Sequence, residues 1–136
     1  MNFVFQAHSG LRYLVFLMAV VAFVVFAEGL SRSRAFGRFH RVVGASYAGL
    51  VHLQASLGLV LVAMGKFHPR LIGHIALMLV AAVSMQVILS LNLRRPQPAF
   101  FWPLIGVVAT MACFAAGVAA IGRGLFEATV SVAPTP

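Results

Sequence analysis

Four apolar runs, each long enough to cross a bilayer and each interrupted by a basic or glycine- and proline-bearing segment, constrain this chain more than any motif does. A transmembrane helix needs roughly 20 mainly apolar residues. Runs of that kind cover about 9–28, 42–64, 69–91 and 100–122. They use up most of the 136 residues, so no stretch remains for a soluble catalytic domain. Short connections force neighbouring helices to run antiparallel. The expected fold is therefore all-α: a single integral membrane domain over residues 1–136, an up-down-up-down four-helix bundle without an internal repeat. Composition agrees, since 62% of the residues are apolar and 9% charged, against about 25% charged in a soluble domain.

The connections carry their own signals. The first run lacks a basic segment ahead of it and a small-residue cleavage site behind it, which favours a retained helix over a signal peptide. It gives way at Glu28-Gly29 to an arginine-rich loop through Arg38, with an interfacial turn expected at Phe39, His40 and Arg41. Gly65 stands where a left-handed helix cap is expected, and Pro69 suits the first turn of the third helix, where a missing N–H costs nothing. Arg94-Arg95-Pro96-Gln97-Pro98 enforces the third loop, and Trp102 falls at a membrane interface. The tail beyond Glu127 is expected to fray.

Ten Lys and Arg against Glu28 and Glu127 give a net charge of +8. In a soluble chain that balance would raise nucleic-acid binding. Here the cations sit between hydrophobic runs, where they orient the protein and meet anionic headgroups, so no nucleic-acid partner is expected. Arg32, Arg34, Arg38, Arg41, Arg94 and Arg95 fall on one face, and Arg12, Lys66, Arg70 and Arg123 on the other. The excess assigns the first face to the cytoplasm and both termini to the periplasmic side of a bacterial inner membrane. Cys113 lies alone in an apolar run, which excludes an internal disulfide and a thiolate zinc cluster. The shortage of carboxylates likewise leaves little for hydrolytic chemistry.

Small residues let helices approach closely in lipid. The fourth run offers Gly106, Thr110, Cys113 and Gly117 on one stripe, and the second offers Ala45, Ala48, Gly49, His52, Ala55 and Ser56. Both are expected to be helix contacts, the second complicated by its histidine.

Ionisable residues at membrane depth are costly and tend to have a task. His52 falls near mid-membrane. His74 lies one turn into the third helix, and His8 precedes Arg12 by four residues, so the two share a helix face if the first helix already runs through them. His40 and His68 are expected in interfacial loops. A neutral imidazole is a good axial ligand for haem iron, and cations near the surface can pair with propionates. His8, Arg12, Arg70 and His74 have both ingredients on one half of the bundle and could hold a b-type haem. The alternative is that these histidines simply bond to loop carbonyls. Counted from the turn between the second and third helices, His52 lies about 13 Å deeper than His74. It is then a ligand to a deeper centre, a quinone contact, or a buried polar residue bonded to Thr110, with His52 and His74 as a second-choice pair.

The segments Ala7-His8-Ser9-Gly10-Leu11-Arg12-Tyr13, His52-Leu53-Gln54-Ala55-Ser56-Leu57-Gly58 and Gly73-His74 resemble those of small bacterial four-helix membrane proteins labelled cytochrome b-like. The likeness runs over roughly residues 7–122. It implies that His8, His52 and His74, with Arg12 beside them, surround a haem b or a quinone. Two departures stand out. Tyr13 replaces a usual tryptophan, and Gly73 and Ile75 flank His74 where an acid and a proline are usual. Without that carboxylate a proton-coupled quinol reaction has less support.

Three functions follow. The first is an electron-transfer subunit with haem or quinone between its helices. The second is a non-catalytic accessory subunit of a larger respiratory or photosynthetic membrane complex, and the third a small transporter. The last would need oligomerisation, because helices two to four carry no interior break of the kind that builds a substrate site. In each case the partners are the bilayer and other membrane subunits, and an electron-transfer or accessory subunit is expected over a stand-alone enzyme.

Overall fold

The computed structural model describes residues 3–124 and is all-helical among them. Four helices follow in chain order: α1 Phe3–Ser31, α2 Arg38–Ala63, α3 Leu71–Leu93 and α4 Phe101–Ala120. All four are long and apolar enough to cross a membrane. They form the expected up-down-up-down bundle, a ring in which α1 packs on α2, α2 on α3, α3 on α4, and α4 closes back onto α1.

The ends differ from the sequence expectation in ways that matter for the site. Helix α1 begins at Phe3 and so includes His8 and Arg12 on continuous helix. Its 29 residues make it about 44 Å long, beyond the roughly 30 Å of a hydrocarbon core, so α1 has to tilt or project. Helix α2 absorbs the anticipated interfacial turn, starting at Arg38. Helix α3 starts only at Leu71, leaving Pro69 in the turn and Arg70 as the residue that caps the helix start. Gly65 adopts φ +78° as a helix stop requires. Glu127 and the tail lie outside the described residues.

Each helix buries one stripe. On α1 it is Val15, Ala19, Ala22 and Phe26, at the three-and-four spacing of a helix face. Between the stripes the outward positions are equally apolar: Leu17, Val20 and Val83 are 60% exposed or more. In water that surface would be a large unburied patch; against lipid it is the ordinary solvent contact.

Small residues set the α3–α4 spacing as expected. A Cβ on Gly106 would lie 3.0 Å from Met85 Sδ, and one on Gly117 would lie 2.7 Å from Met78 Cε. Helix α2 behaves otherwise. Its buried face runs through Val43, Gly44, Tyr47, Ala48, Val51 and Gln54. Gly44 makes the close approach, since a Cβ there would meet Leu89 Cδ1 at 2.9 Å, whereas Gly49 faces open space. Ala45, Gly49 and Ser56 are exposed. The smallness of those residues does not decide the packing face: Tyr47 and Val51 are buried while Ala45 and Gly49 face outward.

Candidate functional site

One end of the bundle is closed and the other is open. At the end bearing the α1–α2 and α3–α4 loops, Phe36 packs between Phe26 and Phe100, with ring centroids 6.1 and 5.0 Å away. The His40 ring meets Phe100 edge-on at 4.7 Å, and its Nδ1 accepts the Gly37 N–H at 3.0 Å. His40 is thus part of an aromatic plug rather than a loop residue.

The opposite end contains a cavity of about 360 Å³ reaching down between the helices. That lies within the range of small-molecule sites. Its deep walls are apolar, with Phe16 from α1, Met78 from α3 and Phe114 from α4. Arg12, Lys66, Arg70 and Arg123 line it together with His8, His68 and His74. No carboxylate lines it among the described residues. Four of the predicted site residues, His8 and Arg12 on α1 and Arg70 and His74 at the start of α3, are therefore brought together by two distant segments of the chain.

The two histidines are held in the same manner. His8 Nδ1 donates to the Gln54 carbonyl at 3.1 Å, and His74 Nδ1 donates to the Gly117 carbonyl at 2.9 Å. A carbonyl can only accept, so in the neutral ring the proton is on Nδ1 and Nε2 carries the lone pair. A bond from the far ring nitrogen to a carbonyl is how proteins fix an imidazole that ligates a metal. Glycine permits both placements. A Cβ on Gly58 would lie 3.2 Å from His8 Cε1, and one on Gly117 would lie 3.4 Å from His74 Nδ1.

Gln54 joins α2 to the start of α1. Its Nε2 donates to the His8 carbonyl at 2.9 Å and approaches His8 Nε2 at 3.4 Å. Gln54 is 5% exposed, and its Oε1 has no hydrogen-bond partner. Sequence reasoning noted this glutamine only as part of a motif and gave it no role. The available signal was an amide at membrane depth on the buried face of α2.

Arg12 lies one turn deeper than His8, its guanidinium donating to Tyr13 Oη at 2.8 Å and lying over that ring at 4.7 Å. Tyr13 can accept this bond; the indole of a tryptophan could not. His68, expected in an interfacial loop, belongs to the cavity wall as well.

His52 does not line the cavity. Its Nδ1 bonds the Ala48 carbonyl one turn back on its own helix, at 2.7 Å. Two residues of helix separate it from Gln54, which rotates it about 200° away from the cavity face. The bond anticipated with Thr110 is not made either: that hydroxyl donates to Gly106 O within α4. His52 is accordingly placed neither beside His74 nor on a buried α2–α4 contact.

The donor set suits a b-type haem. His8 and His74 offer two imidazole Nε2 atoms with their Nδ1 hydrogens anchored, the competitor for His8 being the long contact from the Gln54 amide. Cations lining a cavity suit propionates. No group of three or more His, Cys, Asp or Glu poised for a bare metal ion occurs among the described residues. No protein-family profile, curated protein or solved structure matches the chain.

Proposed function

We propose that this chain is a membrane electron-transfer subunit of b-type cytochrome character, holding a redox group, haem b or a quinone, in the cavity between α1, α2, α3 and α4. One observation carries the proposal: His8 and His74 line the same cavity, each with Nδ1 on a backbone carbonyl and Nε2 left as its accepting atom. A haem bound there would supply one-electron redox chemistry. The protein's own part is to fix both imidazoles through Gln54 O and Gly117 O, to exclude water with Phe16, Met78 and Phe114, and to offset anionic groups with Arg12, Lys66, Arg70 and Arg123. His52 has no place in this site.

In this assignment the cavity opens on the periplasmic side of a bacterial inner membrane, where both termini also lie. The arginine-rich loops then face the cytoplasm. The protein purified from membranes is expected to carry haem, seen as a pyridine haemochrome, or extractable quinone, and to lose it on His74→Ala. A preparation with no Soret band, no iron and no quinone would overturn the assignment.

An accessory role in a larger membrane complex is the second reading. It is favoured by the outward face of α2, where Ala45, Gly49 and Ser56 present a small-residue surface of the kind that helices pack on in lipid. If only that role applies, His8→Ala and His74→Ala leave spectra intact while the isolated complex changes composition.

A further inference from the structure

Inside the cavity Gln54 Oε1 and His74 Nε2 are acceptors, whereas Arg12, one turn deeper than His8, and the cations of the mouth are donors. Gln54 uses its amide nitrogen on His8, with contacts to the carbonyl at 2.9 Å and to Nε2 at 3.4 Å. Its Oε1 is left without a partner on a side chain that is 5% exposed. A buried acceptor in that condition is destabilising unless something donates to it. His74 presents a second acceptor, because donation from Nδ1 to Gly117 O leaves the lone pair on Nε2.

Haem does not answer the first of these. An ionised propionate can only accept, and the ring edge carries methyl and vinyl groups. A hydroquinone answers both, since its two hydroxyls donate from opposite ends of a flat apolar ring. The walls suit such a ring, with Phe16 and Phe114 beside Met78. Phe5, Leu59 and Leu79 line the cavity and are also 38–47% exposed, so an apolar tail can leave sideways into lipid. The missing carboxylate beside His74 is then replaced, as an acceptor, by an amide oxygen from a different helix.

We propose that the cavity selects the reduced, dihydroxy form of a quinone-class ligand, with Gln54 Oε1 accepting one hydroxyl and His74 Nε2 the other. The assignment rests on the electron-transfer reading above and specifies which redox group the site recognises. It concerns binding alone. A quinone carbonyl in the same place would set oxygen against oxygen at Gln54, so the oxidised form binds less well.

The test is anaerobic equilibrium dialysis of the full chain in detergent micelles with three probes of one shape: tetramethylhydroquinone, tetramethylbenzoquinone and the dimethyl ether of the hydroquinone. The hydroquinone is expected to bind about tenfold more tightly than the other two, the scale of one buried hydrogen bond. Gln54→Leu is expected to remove most of that preference while retaining helical content. Should Gln54→Leu fail to fold, the three-probe comparison on the unaltered protein decides the matter, because the ether keeps the ring and loses both donors. Equal binding of all three probes overturns the proposal. If that result comes with a haem that His74→Ala removes, the electron-transfer reading stands and the quinol assignment falls. No redox group and no binding of any probe takes down both.

Discussion

The two ends of this bundle are built from the same kind of helix and finished in opposite ways. At the arginine-rich end, Phe26, Phe36, His40 and Phe100 fill the space between helices, and Gly29 lets the Phe100 ring lie against the backbone of α1. The described carboxylate, Glu28, is there too, paired with Arg32 at 3.4 Å and Arg34 at 3.6 Å. At the other end, polar side chains replace the plug, and no carboxylate lines the cavity among the described residues. One end is sealed by aromatic volume and charge pairing; the other is left concave and lined by cations. A bundle whose task was only to occupy lipid would gain stability from plugging both, since unfilled interior volume forfeits dispersion contacts.

The comparison can be broken by moving the properties of one end to the other. The largest effect is expected at the open end on function: if the cavity holds haem as proposed, His74→Ala should lower its retention by about a hundredfold, because it would remove a ligand rather than one of its supports, whose loss costs roughly 10–100-fold. Absorbance per mole of purified protein measures it. The next is at the closed end on stability. Phe100→Ala should cost about 3 kcal/mol, as large-to-small core changes do, seen as a lower midpoint of unfolding in detergent, with redox-group content unchanged. If Phe100→Ala emptied the cavity of its ligand, the two ends would not be independent.

Smaller effects sharpen the contrast. Gly117→Ala would place a Cβ 2.7 Å from Met78 Cε and 3.4 Å from His74 Nδ1. It should cost about 1–2 kcal/mol by overpacking and weaken the hold on His74. Replacing Lys66 and Arg70 together by Gln should reduce binding of a carboxylate-bearing ligand several-fold, and adding salt should erase much of the difference, since charges at the mouth are screened. Arg34→Gln at the closed end is the weakest change. Its ion pair with Glu28 is exposed on both sides, so the loss should stay below about 0.5 kcal/mol. Unfolding midpoints in matched detergent measure the first and last of these, and ligand titration at low and high salt measures the second.

Much of the architecture was legible before any coordinates. Run length and the spacing of Gly65, Pro69 and Arg94-Arg95-Pro96 mark four helices and their turns. His8, Arg12, Arg70 and His74 could be grouped because each sits near a helix end on the same side, and chain topology alone puts those ends together. Gln54 could not be singled out in the same way. Its importance lies in which atoms remain after it has bonded His8, and that depends on how α1 and α2 are rotated against one another. His52 shows the same limit from the other side: its depth along α2 was readable, but depth says nothing about the direction in which a side chain points.

Sequence by itself determined that this protein is four membrane-length helices with a basic face at each end, because hydropathy and charge act along the chain and need no partner. Tertiary structure alone decided which face of each helix is buried, which end is plugged, and which histidines share a cavity. In an almost uniformly apolar helix the hydrophobic pattern carries little rotational information, since lipid and core are equally dry. Rotation is then set by volume and by the few polar atoms that must find each other. Here those atoms are His8 with Gln54 and His74 with Gly117.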